Sequence, residues 1–98
     1  MARILITDDE AKLGRVLVEA LEDRGHWIER VGSGQAALAR IAAGGVDIVV
    51  TDLRMPGVDG MEVLRQTRQI SPGTDVVMMT AYATAQGAVA AMKEGAVV

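Results

Sequence analysis

The sequence predicts an α/β fold, a doubly wound parallel sheet of strand order 2-1-3-4. Three observations predict it: short apolar runs alternate four times with longer amphipathic runs, stop signals follow the amphipathic runs, and one short run is markedly polar. Repeated βα units joined by right-handed crossovers give parallel strands with helices on both faces. The length, 98 residues, suits one domain over 1–98.

Arg3-Ile-Leu-Ile-Thr7 reads as the first strand, and Leu13, Val16, Leu17, Ala20 and Leu21 then fall at the spacing of a helix face. The next run, 26–31, mixes His26, Glu29 and Arg30 with Trp27, Ile28 and Val31, so it reads as an edge strand. A helix over Gln35–Ala43 follows, with Ser33 or Gly34 at its start. Val46-Asp-Ile-Val-Val-Thr51 leads to a helix over Met61–Ile70, for which Asp59 is a cap. Asp75-Val-Val-Met-Met-Thr80 leads to a stretch with Ala85, Ala88, Val89 and Met92 on one face. Gly25, Gly44-Gly45, Pro72-Gly73 and Gly95 stand where these helices stop.

The runs 3–7, 46–51 and 75–80 are almost wholly apolar, as in strands covered on both faces. With the polar run at one edge, the fourth strand becomes the other edge. Its Val76, Val77, Met78 and Met79 are unusually apolar for that position, so a further neighbour is expected there. Without one, these residues are expected to be marginally stable or to associate through that edge.

Half the residues are apolar, 23% are charged, and the formal net charge is −3. That composition supports a core; Phe is absent, and Trp27 and Tyr82 are the only aromatic residues. The absence of cysteine excludes disulfides and thiolate metal sites. No basic run suggests direct nucleic-acid binding. Polar residues and glycines interrupt the longest charge-poor stretch, which argues against a membrane span. The N-terminus turns acidic at Asp8 with no small-residue cleavage site, so a cytoplasmic domain is expected.

Chemistry gathers where the first and third strands end. Asp8 and Asp9 follow the first, Asp52 follows the third, and the order 2-1-3-4 makes those strands neighbours. Strands lie about 4.8 Å apart, so three carboxylates converge, at a cost that a cation would relieve. Oxygen-only ligands favour Mg²⁺, with Mn²⁺ as a substitute, over zinc. The alternative without a ligand makes Asp8-Asp9-Glu10 a helix cap and Asp52 a solvated loop residue. Thr80 ends the fourth strand beside Asp52, and small Ala81 leaves room for an anion that the Thr80 hydroxyl could meet.

Gly32-Ser-Gly34-Gln-Ala-Ala37, with Asp52 20 residues beyond Gly32, also matches a dinucleotide-binding fingerprint. Such loops follow a central apolar strand at the switch point, whereas this one follows a polar edge strand. A tight turn before a helix is the plainer reading. Arg at position 54, where an Asp-x-Asp pair would need an acid, argues against a haloacid-dehalogenase-like phosphatase.

Ile6-Thr-Asp8-Asp9-Glu10, Val50-Thr-Asp52-Leu-Arg-Met-Pro56-Gly-Val-Asp-Gly60 and Met79-Thr80-Ala81-Tyr82 together resemble the receiver domain of two-component response regulators. The stretch from Thr80 to Ala96 is similar to receivers of NtrC-type transcriptional activators. The resemblance implies a flavodoxin- or CheY-like sheet of order 2-1-3-4-5. It makes Asp52 the phosphoacceptor and Asp8 and Asp9 the Mg²⁺-binding pair, with the Arg54 backbone carbonyl as a further ligand. It makes Thr80 the switch hydroxyl, and Arg54, Ala81 and Tyr82 the modulating positions.

The same resemblance implies a signalling phosphoacceptor rather than a metabolic enzyme. Its donor would be a sensor histidine kinase. Its output domain, an AAA+ ATPase with a DNA-binding region, would lie elsewhere in a parent chain, and pairing as a homodimer stays open. The family's fifth strand carries a lysine that contacts the phosphoryl group. No catalytic lysine is read in this chain: Lys93 sits near the end of the last helical stretch, and Lys12 reads as a solvated helix residue. Two readings follow. One is a receiver truncated before its fifth strand and helix; the other is a receiver-like interaction module that takes no phosphoryl group.

Overall fold

The computed structural model describes residues 2–8, 18, 19, 22–52, 55–79 and 95. Strand β1 spans Arg3–Thr7, β2 Trp27–Val31, helix α1 Gly34–Ala42, β3 Ile48–Asp52, α2 Gly60–Ile70 and β4 Asp75–Met79. All neighbouring strands are parallel, in the order β2-β1-β3-β4, as the sequence predicts. The two remaining expected helical stretches, 13–21 and 85–92, lie outside the described residues except for Val18 and Glu19, which are helical.

Alternation divides the sheet into two faces. Leu5, Val49, Val76 and Met78 point to the face covered by α1 and α2. They pack with Ala37 and Ile41 of α1, with Val63 and Leu64 of α2, and with Met55. Ile4 and Ile6 point the other way and are also buried, so β1 is enclosed on both sides. On β2 every residue is exposed or half-buried, with Trp27 56% exposed, which fits its place at the edge.

Side chains set the element boundaries. Ser33 caps α1 by accepting the Ala36 amide at 3.1 Å, and Asp59 caps α2 by accepting the Glu62 amide at 3.0 Å. After α1 the chain turns through Gly44 and Gly45, at φ of 89° and 79°, a region that glycine enters without a Cβ penalty. Strand β3 starts at Ile48 and not at Val46. The Val46 carbonyl accepts the Thr74 hydroxyl at 2.8 Å, and the Asp47 carboxylate takes the Arg3 amide at 2.8 Å. Side chains thus take the Val46 carbonyl and the Arg3 amide. The Asp47 backbone still bonds to both neighbours: its amide donates to the Arg3 carbonyl at 2.9 Å, and its carbonyl accepts the Asp75 amide at 3.0 Å. At its other end β3 includes Asp52, where the sequence places Asp52 just beyond the strand.

Candidate functional site

The β1–β3 register pairs Ile6 with Val50 and Thr7 with Thr51. One step further along the same register sets Asp8 level with Asp52. Both continue the alternation of Ile6 and Val50, so the two carboxylates share a strand end and a face. Asp8 is fully buried and Asp52 half-buried.

The backbone around them is held from several directions. The Asp8 amide donates to the Val31 carbonyl at 3.1 Å, extending the β1–β2 pairing by a residue. The Arg30 guanidinium donates through Nη2 to the Asp8 carbonyl at 2.9 Å. Beneath Asp52, the buried Thr51 hydroxyl donates to the Asp52 carbonyl at 3.1 Å. Met55 then sinks into the core, Gly57 turns the chain at a φ of 74°, and Val58 rests on Gly34 before Asp59 starts α2. The loop behind Asp52 is therefore anchored at both ends.

Asp9, Arg54, Thr80, Ala81 and Tyr82 lie outside the described residues. Of the acids expected to hold a cation, Asp8 and Asp52 are thus the described ones. Among the described residues no group of three His, Cys, Asp or Glu forms a metal cluster. The donor set at this edge is oxygen-only, which fits a hard divalent cation.

The glycine-rich turn has a different use from the dinucleotide fingerprint. A Cβ at Gly34 would overlap the Val58 carbonyl oxygen, so this glycine permits a helix-to-loop contact where a pyrophosphate would need open space. Gly32 has open space instead. Arg30 is the residue at this edge that sequence reasoning missed. Its charge marked β2 as an edge strand, but no spacing in the sequence tells that it reaches the next strand.

A second constellation lies toward the starts of β1 and β2. A cavity of about 90 Å³ is lined by Arg3, Leu5, Trp27, Glu29, Arg40 and Val46, among others. The Arg3 guanidinium lies 5.3 Å from the Trp27 ring centroid, and Arg40 grips Glu29 with two bonds, of 2.9 and 3.1 Å. That hydrogen-bonded pairing holds the Glu29 carboxyl below its ordinary value. The strand direction separates this cavity from the carboxylate edge.

Comparison with known proteins places the chain. The response regulator receiver domain family matches residues 4–98. The transcriptional regulatory protein TcrA of Mycobacterium tuberculosis is 37% identical over 94 residues, covering 96% of this chain and 37% of that protein. The DNA-binding transcriptional regulator NtrC of Salmonella typhimurium is 34% identical over 93 residues, covering 95% of this chain and 20% of that protein. The chain thus spans well under half the length of these relatives.

Among solved structures, a CheY-like receiver domain protein from Methanospirillum hungatei superposes with a TM-score of 0.92 at 28% identity, covering 98% of this chain and 77% of that one. The response regulator TrrA of Thermotoga maritima, in complex with Mg(2+)-BeF, superposes with a TM-score of 0.82 at 32% identity, covering 92% and 81%. Among the described residues no helix is long and apolar enough to cross a membrane. With its sheet order, its acidic strand ends and a family match that runs from Ile4 to Val98, the chain belongs to the response regulator receiver domains, a family of signalling domains in two-component systems.

Proposed function

We propose that this domain accepts a phosphoryl group on Asp52 from a sensor histidine kinase, with Mg²⁺ held by Asp8, Asp9, Asp52 and the Arg54 carbonyl. The observation that carries this reading is the β1–β3 register, which sets Asp8 and Asp52 side by side at one strand end. Mn²⁺ would serve in place of Mg²⁺. The complex named for TrrA, with Mg(2+)-BeF, supports the same class of cation in a relative.

A carboxylate oxygen of Asp52 attacks phosphorus, forming a P–O bond as the P–N bond to a donor imidazole breaks. The departing imidazole then takes up a proton. The product is an acyl phosphate, which water can hydrolyse. Phosphoryl transfer passes through a loose transition state, so positioning and charge neutralisation supply most of the catalysis. A bound divalent cation would neutralise charge between the Asp52 and phosphoryl oxygens. The Thr51 hydroxyl, bonded to the Asp52 carbonyl, supports the Asp52 backbone at the end of β3. Asp8 would supply a buried oxygen ligand from the neighbouring strand.

Thr80 is the residue we assign to meet the phosphoryl group, with Ala81 leaving space and Arg54 and Tyr82 tuning its lifetime. The added charge, roughly −1 or more, would bias the surface that follows β4. Through that surface the domain would control an output region of a longer parent chain, for which the likeness to NtrC and TcrA supports transcriptional control. We place it in the cytoplasm, where histidine kinases present their phosphoryl groups.

Mass spectrometry after incubation with a small phosphodonor tests this reading. One added phosphoryl group is expected with Mg²⁺ and none in Asp52→Asn. A folded wild-type sample that gains nothing would favour an interaction module without phosphotransfer.

A further inference from the structure

Arg30 is the only charged side chain of β2 bonded toward the carboxylate edge among the described residues; the other, Glu29, is taken by Arg40. In the β1–β2 register Arg30 stands opposite Ile6, on the face that Asp8 shares. From there its guanidinium reaches along the strand direction to the Asp8 carbonyl, at 2.9 Å. The amide of Asp8 is held by the Val31 carbonyl. Neighbouring residues of one edge strand therefore hold the peptide groups on both sides of the Asp8 side chain.

The carbonyl that Arg30 holds belongs to the peptide linking Asp8 to Asp9. Its orientation sets how Asp8 is presented. We propose that Arg30 is a positioning residue for the cation site, fixing the Asp8 carbonyl so that the Asp8 carboxyl meets the ion without reorganising. This inference rests on the reading of Asp8, Asp9 and Asp52 as cation ligands.

Two effects of Arg30 oppose each other. Its hydrogen bond, charge-assisted and directed, favours binding by holding the ligand in place. Its positive charge repels the cation, but the side chain is exposed, so water and salt weaken that repulsion. Positioning wins. Removing Arg30 therefore weakens cation binding, the reverse of what loss of a repelling charge would do.

The test uses Mn²⁺ alone as the probe, with free Mn²⁺ read by electron paramagnetic resonance on the 98-residue chain. Wild type, Asp52→Asn, Arg30→Gln and Arg30→Lys are titrated at fixed salt. Urea midpoints are recorded for each. The expected result is binding about tenfold weaker in Arg30→Gln at an unchanged midpoint, a size typical of lost support around a metal ligand. Arg30→Lys, which keeps a donor and the charge, is expected to fall between. Equal or tighter binding in Arg30→Gln overturns the role of Arg30. If Arg30→Gln does not fold, Arg30→Lys decides the matter: wild-type binding overturns the role, and weaker binding at a wild-type midpoint supports it. Wild-type binding that is absent, or unchanged by Asp52→Asn, removes the cation reading itself, and the inference with it.

Discussion

Gly34 opens α1 directly against Val58, so closely that a Cβ at position 34 would overlap the Val58 carbonyl oxygen and lie 2.9 Å from the Val58 side chain. Val58 belongs to the loop between Asp52 and the Asp59 cap. The start of one helix and the loop behind the candidate phosphoacceptor are therefore one packed unit.

Gly34→Ala is expected to cost about 1–3 kcal/mol, as overpacking does. The better helix propensity of alanine returns up to about 1 kcal/mol and does not offset the overlap. Gly32→Ala, in open space at an ordinary φ, is expected to stay within about 0.5 kcal/mol of wild type. Urea unfolding of both variants checks the contrast. Equal effects at the two positions would contradict the packing role of Gly34.

Thr67 faces the core from α2 and is fully buried, and its hydroxyl has no hydrogen-bond partner among the described residues. A buried hydroxyl that makes no bond costs free energy that an isosteric methyl does not. Thr67→Val is expected to raise stability by about 1 kcal/mol, and Thr67→Ala to lower it through the lost methyl. A melting transition lowered by Thr67→Val would contradict this.

The Arg40–Glu29 pair joins α1 to the edge strand, and hydrogen bonding to Arg40 lowers the Glu29 carboxyl from its ordinary value of 4.5. A carboxyl lowered on folding adds stability that is present above pH 4.5 and lost as pH falls through the lower folded value. Both side chains are partly exposed, so the contribution is small. Wild type is expected to exceed Glu29→Gln in urea midpoint at about pH 6, with the difference closing as pH drops below 4.5. A difference that persists or grows toward acid pH would show that the pair does not act in this way.

Much of the architecture is legible because burial repeats with the period of each element. The apolar run 3–7 becomes a strand enclosed on both faces, and the mixed run 26–31 becomes the edge. Ser33 and Asp59 cap helices as local hydrogen-bonding rules require. The start of β3 is not legible. Val46 packs against the core like a strand residue, while its carbonyl is claimed by the Thr74 hydroxyl, 28 residues away. The site divides in the same way. Asp8 and Asp52 can be placed together from strand order alone. The reach of Arg30 to Asp8, the grip of Arg40 on Glu29 and the contact of Gly34 with Val58 depend on register and helix placement. No local pattern encodes those.

The position of the phosphoryl group is the most direct test of the central claim. Borohydride reduces an acyl phosphate and leaves homoserine in place of the aspartate that carried it. After treatment with a small phosphodonor and Mg²⁺, reduction and peptide sequencing by tandem mass spectrometry, homoserine is expected at position 52 and nowhere else. Homoserine at position 8, 9 or 59, or at no position in a folded sample, would contradict the assignment of Asp52 as the phosphoacceptor.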